Sequence, residues 1–128
     1  MKPYYSKKAM EHFFYPKNMG VIKDADGVGK VGNPVCGDLM ELYIKVEKKN
    51  GKKVIKDIKF KTLGCAAAIA TSDMISELVR GKTLKQAEKV KYKDIVKSLG
   101  YLPQIKVHCA NLAEEGLKAA INDYEKKH

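Results

Sequence analysis

An alternating stretch, an Asn-Gly pair and a second alternating stretch constrain this chain more than any other feature. In residues 39–46 the apolar Met40, Leu42, Ile44 and Val46 alternate with Glu41, Tyr43 and Lys45, and in residues 55–63 a weaker alternation runs through Ile58, Phe60 and Thr62. A period of two places one set of side chains on one face of a strand. Asn50-Gly51 between the stretches supplies the positive backbone angles of a tight hairpin. Ahead of the hairpin, residues 27–37 hold four glycines with Val28, Val31 and Val35 among them, which predicts an irregular edge strand running into a tight turn. Behind it the period changes. Residues 66–70, Met74, Ile75, Leu78 and Val79 fall on one broad helical face, with Gly81 placed to end the helix. Residues 94–99 predict a shorter helix, with Ile95, Val96 and Leu99 inward and Gly100 ending it. A last helix begins near His108 or Cys109, beyond Pro103, with Leu112, Leu117, Ala120, Ile121 and Tyr124 on its apolar side and a favourable Glu114–Lys118 pair. Strands followed by a run of helices predict an α+β fold, a small antiparallel three-stranded sheet with helices packed on one face.

The opening segment predicts one more helix over residues 6–15, with Ser6 as N-cap, Met10, Phe13 and Phe14 at helical spacing, and Pro16 and Gly20 behind it. A helix this short is marginal alone, so residues 1–20 are expected to be mobile until a partner or a second subunit docks. No repeat, low-complexity stretch or linker divides the chain, which reads as one domain over residues 1–128. A domain of that length hides roughly two-thirds of its unfolded surface without needing a metal to hold it together.

The longest uncharged runs, such as residues 63–72, fall well short of the ~20 apolar residues of a membrane span. Residues 1–6 resemble neither a secretory signal nor a transit peptide. No membrane association is expected, and the location expected is cytoplasmic. The formal charge of +10 raises nucleic acid as a partner. Arg80 is the only arginine, however, and the lysines are scattered, so the bidentate forks that read base edges are nearly absent. Specific nucleic-acid binding is therefore not expected, whereas an acidic protein partner suits such a surface.

Three cysteines in a chain without an export signal argue against a disulfide framework. A single cysteine is commonly a small buried hydrophobe. Here each stands at a boundary: Cys36 in the glycine-rich turn, Cys65 at the start of one helix and Cys109 at the start of another. Helix starts present free N–H groups and a positive dipole end, which favour the thiolate that binds metal or attacks sulfur. Asp38 is two residues from Cys36 and His108 adjoins Cys109. Three thiolates with one carboxylate or imidazole complete a tetrahedral zinc site, or the outer ligands of a two-iron cluster. Separations of 29 and 44 residues match no local metal motif, so only folding could gather these ligands.

The residues flanking the cysteines carry a resemblance. Gly32-Asn33-Pro34-Val35-Cys36-Gly37-Asp38, Phe60-Lys61-Thr62-Leu63-Gly64-Cys65-Ala66-Ala67-Ala68-Ile69-Ala70 and His108-Cys109 resemble the IscU or NifU-like iron–sulfur scaffold family. The match extends to Tyr5-Ser6, His12-Phe13, Pro16, Asn18 and Gly20, and to Leu112-Ala113-Glu114 and Ala119-Ala120-Ile121. It implies a scaffold or carrier in place of an enzyme, with sulfur transfer within its reach, and ligands at Cys36, Cys65 and Cys109 with roles for Asp38 and His108. The cargo implied is a 2Fe-2S or 4Fe-4S cluster, with zinc in the cluster-free form. The partners implied are a cysteine desulfurase, iron and electron donors, and apo iron-sulfur proteins; a homodimer is compatible with it. Partner binding falls to Tyr5 and to Leu102-Pro103-Gln104-Ile105-Lys106. Much of the family has Leu-Pro-Pro-Val-Lys in that place, where a chaperone docks. Gln104 removes one proline from that stiff extended peptide, and Ala66 replaces the glycine that more often follows the second cysteine. A zinc-dependent persulfide sulfur carrier is the alternative. That subgroup usually has an insertion before the third cysteine and no histidine ahead of it, unlike this chain.

Overall fold

The computed structural model describes residues 3–33 and 38–128, with Asn33 and Asp38 described by their backbone alone. The alternating segments form an antiparallel meander in the order β1 (Gly27–Asn33), β2 (Asp38–Lys49) and β3 (Lys52–Leu63). Asn50 and Gly51 close the hairpin at φ +54° and +77°, the positive pair that the sequence predicts. Both strands outrun their apolar alternation, because backbone pairing continues through Lys48↔Lys53 and Lys49↔Lys52 up to the turn. Met40, Leu42, Ile44, Ile55, Ile58 and Phe60 are buried. Each such side chain contributes roughly 1.5–3 kcal/mol when fully removed from water.

Among the described residues there are five helices, α1 (Lys7–Phe14), α2 (Ala66–Val79), α3 (Leu84–Glu88), α4 (Tyr92–Ser98) and α5 (Val107–Lys127), with a 3-10 turn over Gln104–Lys106 leading into α5. The core joins Met40, Leu42 and Ile44 of the sheet to Met74, Ile75 and Val79 of α2 and to Leu117, Ala120 and Ile121 of α5. The expected α+β fold is therefore the observed one. No described helix is long and apolar enough to cross a membrane. The short α3 has no counterpart in the apolar pattern; a capping box makes it, with Thr83 Oγ1 accepting from Gln86 N at 3.1 Å and Gln86 Oε1 accepting from Thr83 N at 3.0 Å.

Two packing details place α5. A Cβ on Gly29 would stand 2.2 Å from the Gly116 carbonyl oxygen and 2.6 Å from Ala120 N, so only glycine lets the helix backbone lie this close to β1. Asp123 Oδ2 then accepts a hydrogen bond from Val28 N at 2.9 Å. On α2 the burial is wider than one face: with α1 packed against it, Thr71, Ser72, Asp73 and Ser76 are buried too. Ser6 caps α1, accepting from Ala9 N at 2.9 Å and donating to the Leu99 carbonyl.

Candidate metal centre

Cys65 is the N-cap of α2, with extended backbone at φ −81° and ψ 177°. Its carbonyl accepts from Ala68 N and Ile69 N at 3.0 and 3.2 Å, while its thiol makes no capping bond. Cys109 sits in the first turn of α5. Small residues let the two helix starts converge: Ala67, Ala68, Ala110 and Ala113 are all buried. Thr71, which the sequence does not single out, links them by donating to Ala67 O at 2.7 Å and lying 3.3 Å from Cys109 O. The result is a Cys65 Sγ to Cys109 Sγ distance of 3.8 Å. Cys65 is half-buried, and Cys109 is 2% exposed.

His108 completes this corner. Its Nδ1 lies 2.9 Å from the Ile105 carbonyl, which can only accept, so Nδ1 carries the proton. Nε2 faces Cys109 Sγ at 3.5 Å. A carbonyl bound to one ring nitrogen is how ligand histidines are commonly oriented. Zinc–sulfur and zinc–nitrogen bonds of about 2.3 and 2.0–2.1 Å in a tetrahedron separate two sulfurs by about 3.8 Å, and sulfur from nitrogen by about 3.5 Å. Each pair matches by itself, Cys109 with Cys65 and Cys109 with His108, although the three ligand atoms do not all lie within 4.8 Å of one another.

Tyr5 and Cys65 both pack against the buried cluster of Ala67, Ala68 and Cys109. Burial, and after it the nearby Cys65 thiol, push the Tyr5 hydroxyl above the ordinary tyrosine range. The same thiol holds the exposed Lys106 ammonium above the usual lysine range. Lys106 thus offers positive charge beside the sulfurs. Of the rest of its segment, Leu102 is buried and Ile105 is 72% exposed.

Asp38 opens β2 opposite Asn33. The next pair along, Leu39↔Leu63, brings this end of the sheet within two residues of Cys65. Leu39 and Leu63 are both largely exposed. They line an open cleft of about 360 Å³ with Lys30, Val31, Met40, Glu41, Lys61 and Thr62. Cys36 lies outside the described residues. Among the described residues, the structure brings together Cys65, Cys109, His108, Tyr5 and Lys106. It also gathers a second group that the sequence reading missed: His12, Asp73 and Glu77, whose potential ligand atoms lie within 4.8 Å of one another. The signal for it is a charged residue, Asp73, inside an otherwise small and apolar run.

Residues 4–128 match the family described as NifU-like N terminal domain. The chain is 54% identical over 123 residues to the iron-sulfur cluster assembly scaffold protein IscU 1 of Archaeoglobus fulgidus, covering 96% of this chain and 78% of that protein. It is 51% identical to the IscU scaffold of Aquifex aeolicus over 94% of this chain and 75% of the relative. The Buchnera aphidicola IscU scaffold from the Acyrthosiphon pisum symbiont is 48% identical, with 96% of both chains covered. Among solved structures, a candidate iron-sulfur cluster assembly scaffold for the SUF system from Fervidobacterium islandicum superposes with a TM-score of 0.73 at 25% identity, covering 91% of this chain and 96% of that one. A NifU-like N-terminal protein of Brucella abortus shares the fold at a TM-score of 0.65 and 20% identity, over 98% and 96% of the two chains.

Proposed function

The chain belongs to the NifU-like N-terminal domain family, and on that premise we propose that it is a scaffold on which an iron–sulfur cluster is assembled and from which it is passed to apo-proteins. The cluster is cargo. Cys36, Cys65 and Cys109 hold it, with Asp38 and His108 alongside, and zinc takes the same ligands when no cluster is present. One observation carries this reading: two thiols from separate helix starts, Cys65 and Cys109, stand 3.8 Å apart, the separation of two thiolates on one tetrahedral ion.

The chemistry follows from the residues. A site thiolate attacks the outer sulfur of a cysteine desulfurase persulfide, forming a new S–S bond and releasing the donor's thiolate. Two electrons from a donor then reduce that sulfur to sulfide, which bridges iron held by the neighbouring thiolates. Lys106 offsets part of the accumulating negative charge. Tyr5 covers the corner, and Tyr5 and the exposed Ile105 offer partners a surface beside it. Free thiols persist in a reducing compartment, which suits the cytoplasm.

The test is anaerobic reconstitution with iron and a desulfurase, read by absorption and Mössbauer spectroscopy in the parent and in single Cys36→Ser, Cys65→Ser and Cys109→Ser chains. A 2Fe-2S spectrum is expected in the parent and its loss in each variant. If two of the three variants assemble cluster and bind zinc like the parent, the shared site is wrong.

A further inference from the structure

The group at the joint of α1 and α2 has the chemistry of a second metal site. Asp73 is fully buried, and both its oxygens are committed. Oδ1 accepts from Lys17 N at 3.0 Å, Asn18 N at 2.9 Å and Asn18 Nδ2 at 2.9 Å. Oδ2 accepts a hydrogen bond from His12 Nδ1 at 2.6 Å. The buried carboxylate is therefore unable to serve as a direct ligand without losing these bonds; it fixes the ring and its tautomer. With Nδ1 held by Asp73, His12 Nε2 is the ring nitrogen turned outward, 3.8 Å from Glu77 Oε2. That distance is too long for a hydrogen bond. It exceeds by only a few tenths of an ångström the roughly 3.4 Å between nitrogen and oxygen ligands of one tetrahedral zinc ion. The Glu77 side chain is 34% exposed and can close the difference by a small rotation.

The surroundings favour a cation. Glu11, Tyr15 and Lys17 line the same cleft of about 290 Å³ with His12, Asp73 and Glu77, which leaves room for waters to complete the coordination. Three carboxylates there face one ammonium. A carboxylate bound to one ring nitrogen, with the other nitrogen presented outward, is the arrangement that raises a ligand histidine's affinity. We infer that His12 Nε2 and Glu77 bind a divalent transition-metal ion of the zinc type, with Asp73 as the residue that positions the histidine. Asp73 stands eight residues beyond Cys65 on the same helix run, about 12 Å along its axis. The site is distinct from the cysteine centre, and its ion fastens α1 to α2.

Zinc itself is the probe. In the full chain carrying Cys36→Ser, Cys65→Ser, Cys109→Ser and His108→Ala, titration against a chromophoric chelator should still find one equivalent of zinc. Glu77→Gln in that background should weaken it at least tenfold, and His12→Gln should abolish it. Should the multiple variant fail to fold, the unsubstituted chain gives the same answer by nitrogen-15 NMR: the second equivalent of zinc should move the His12 Nε2 resonance, and Glu77→Gln should suppress the change. A second equivalent that leaves the His12 ring untouched, zinc binding indifferent to Glu77→Gln, or no binding beyond the cysteine centre each overturns the proposal.

Discussion

Glu114 shows how one residue can take opposing forces and settle them. Burial pushes its carboxyl up, but the hydrogen bond from Lys118 Nζ at 2.8 Å and that from Tyr92 N at 2.6 Å pull it down, leaving it below the ordinary glutamate range. A depressed carboxylate stabilises the fold above its unfolded value, about 4.3, and that stability is lost as pH falls through the folded value. Glu114→Gln should therefore cost at most about 1.5–3 kcal/mol at pH 7, the range for a hydrogen bond to a charged group. In urea unfolding, the gap from the parent should shrink below about pH 4.3; an equal gap at pH 7 and pH 3 would rule this out. Asp38 has a different kind of consequence. An oxygen ligand or proton acceptor beside thiolates bonds iron less firmly than a fourth cysteine, and a scaffold must release what it builds. Asp38→Ala should lengthen cluster lifetime and slow transfer to an apo-ferredoxin. If apo stability falls while both rates stay as they were, Asp38 only shapes the turn after Gly37.

At the level of elements, the β1–α5 contact is the tightest dependence on a single residue type. Gly29→Ala drives a Cβ into the backbone of Gly116 and Ala120, which cannot rotate away as a side chain can. Overpacking of this kind costs about 1–3 kcal/mol or more. The urea midpoint should drop with its slope unchanged, and zinc affinity should drop as well because α5 carries Cys109; a midpoint equal to the parent's would mean the helix shifts freely. The hairpin was legible in the sequence because alternation and Asn50-Gly51 are local signals. The short α3 was not, since Leu84 and Ala87 alone make no period. Strand pairing beside the turn was also hidden, because lysines there are held by backbone bonds and carry no apolar pattern. Cys65 and Cys109 were legible by residue type and by their places at helix starts, although their 3.8 Å approach depends on the α2–α5 contact through Thr71. The charge of Asp73 within the α2 run was the one cue to its group with His12, and it is ambiguous because a polar residue within a helix reads as solvent-facing until another helix is known to cover it.

For the molecule as a whole, stability is unevenly distributed. The α1 helix is short and puts only Ala9 and part of Phe13 into the core, fastened further by Ser6 to Leu99 and by His12 and Asn18 to Asp73, whereas α2 is buried along most of its length. Amide exchange in the isolated chain should be faster in residues 6–14 than in residues 69–78, and Asp73→Asn should widen the difference by loosening the Asp73 anchor. Equal protection in the two segments would contradict this. The same architecture sets an order of events at birth. The covering helix α5 is made last of the described elements, and the Val28–Asp123 bond spans 95 residues of chain. A growing chain on the ribosome can therefore form its hairpin early, but β1 stays bare, and Cys65 has no Cys109 beside it until α5 emerges. Chains stalled before α5 emerges thus lack the paired thiolates, so metal capture waits on the making of that helix.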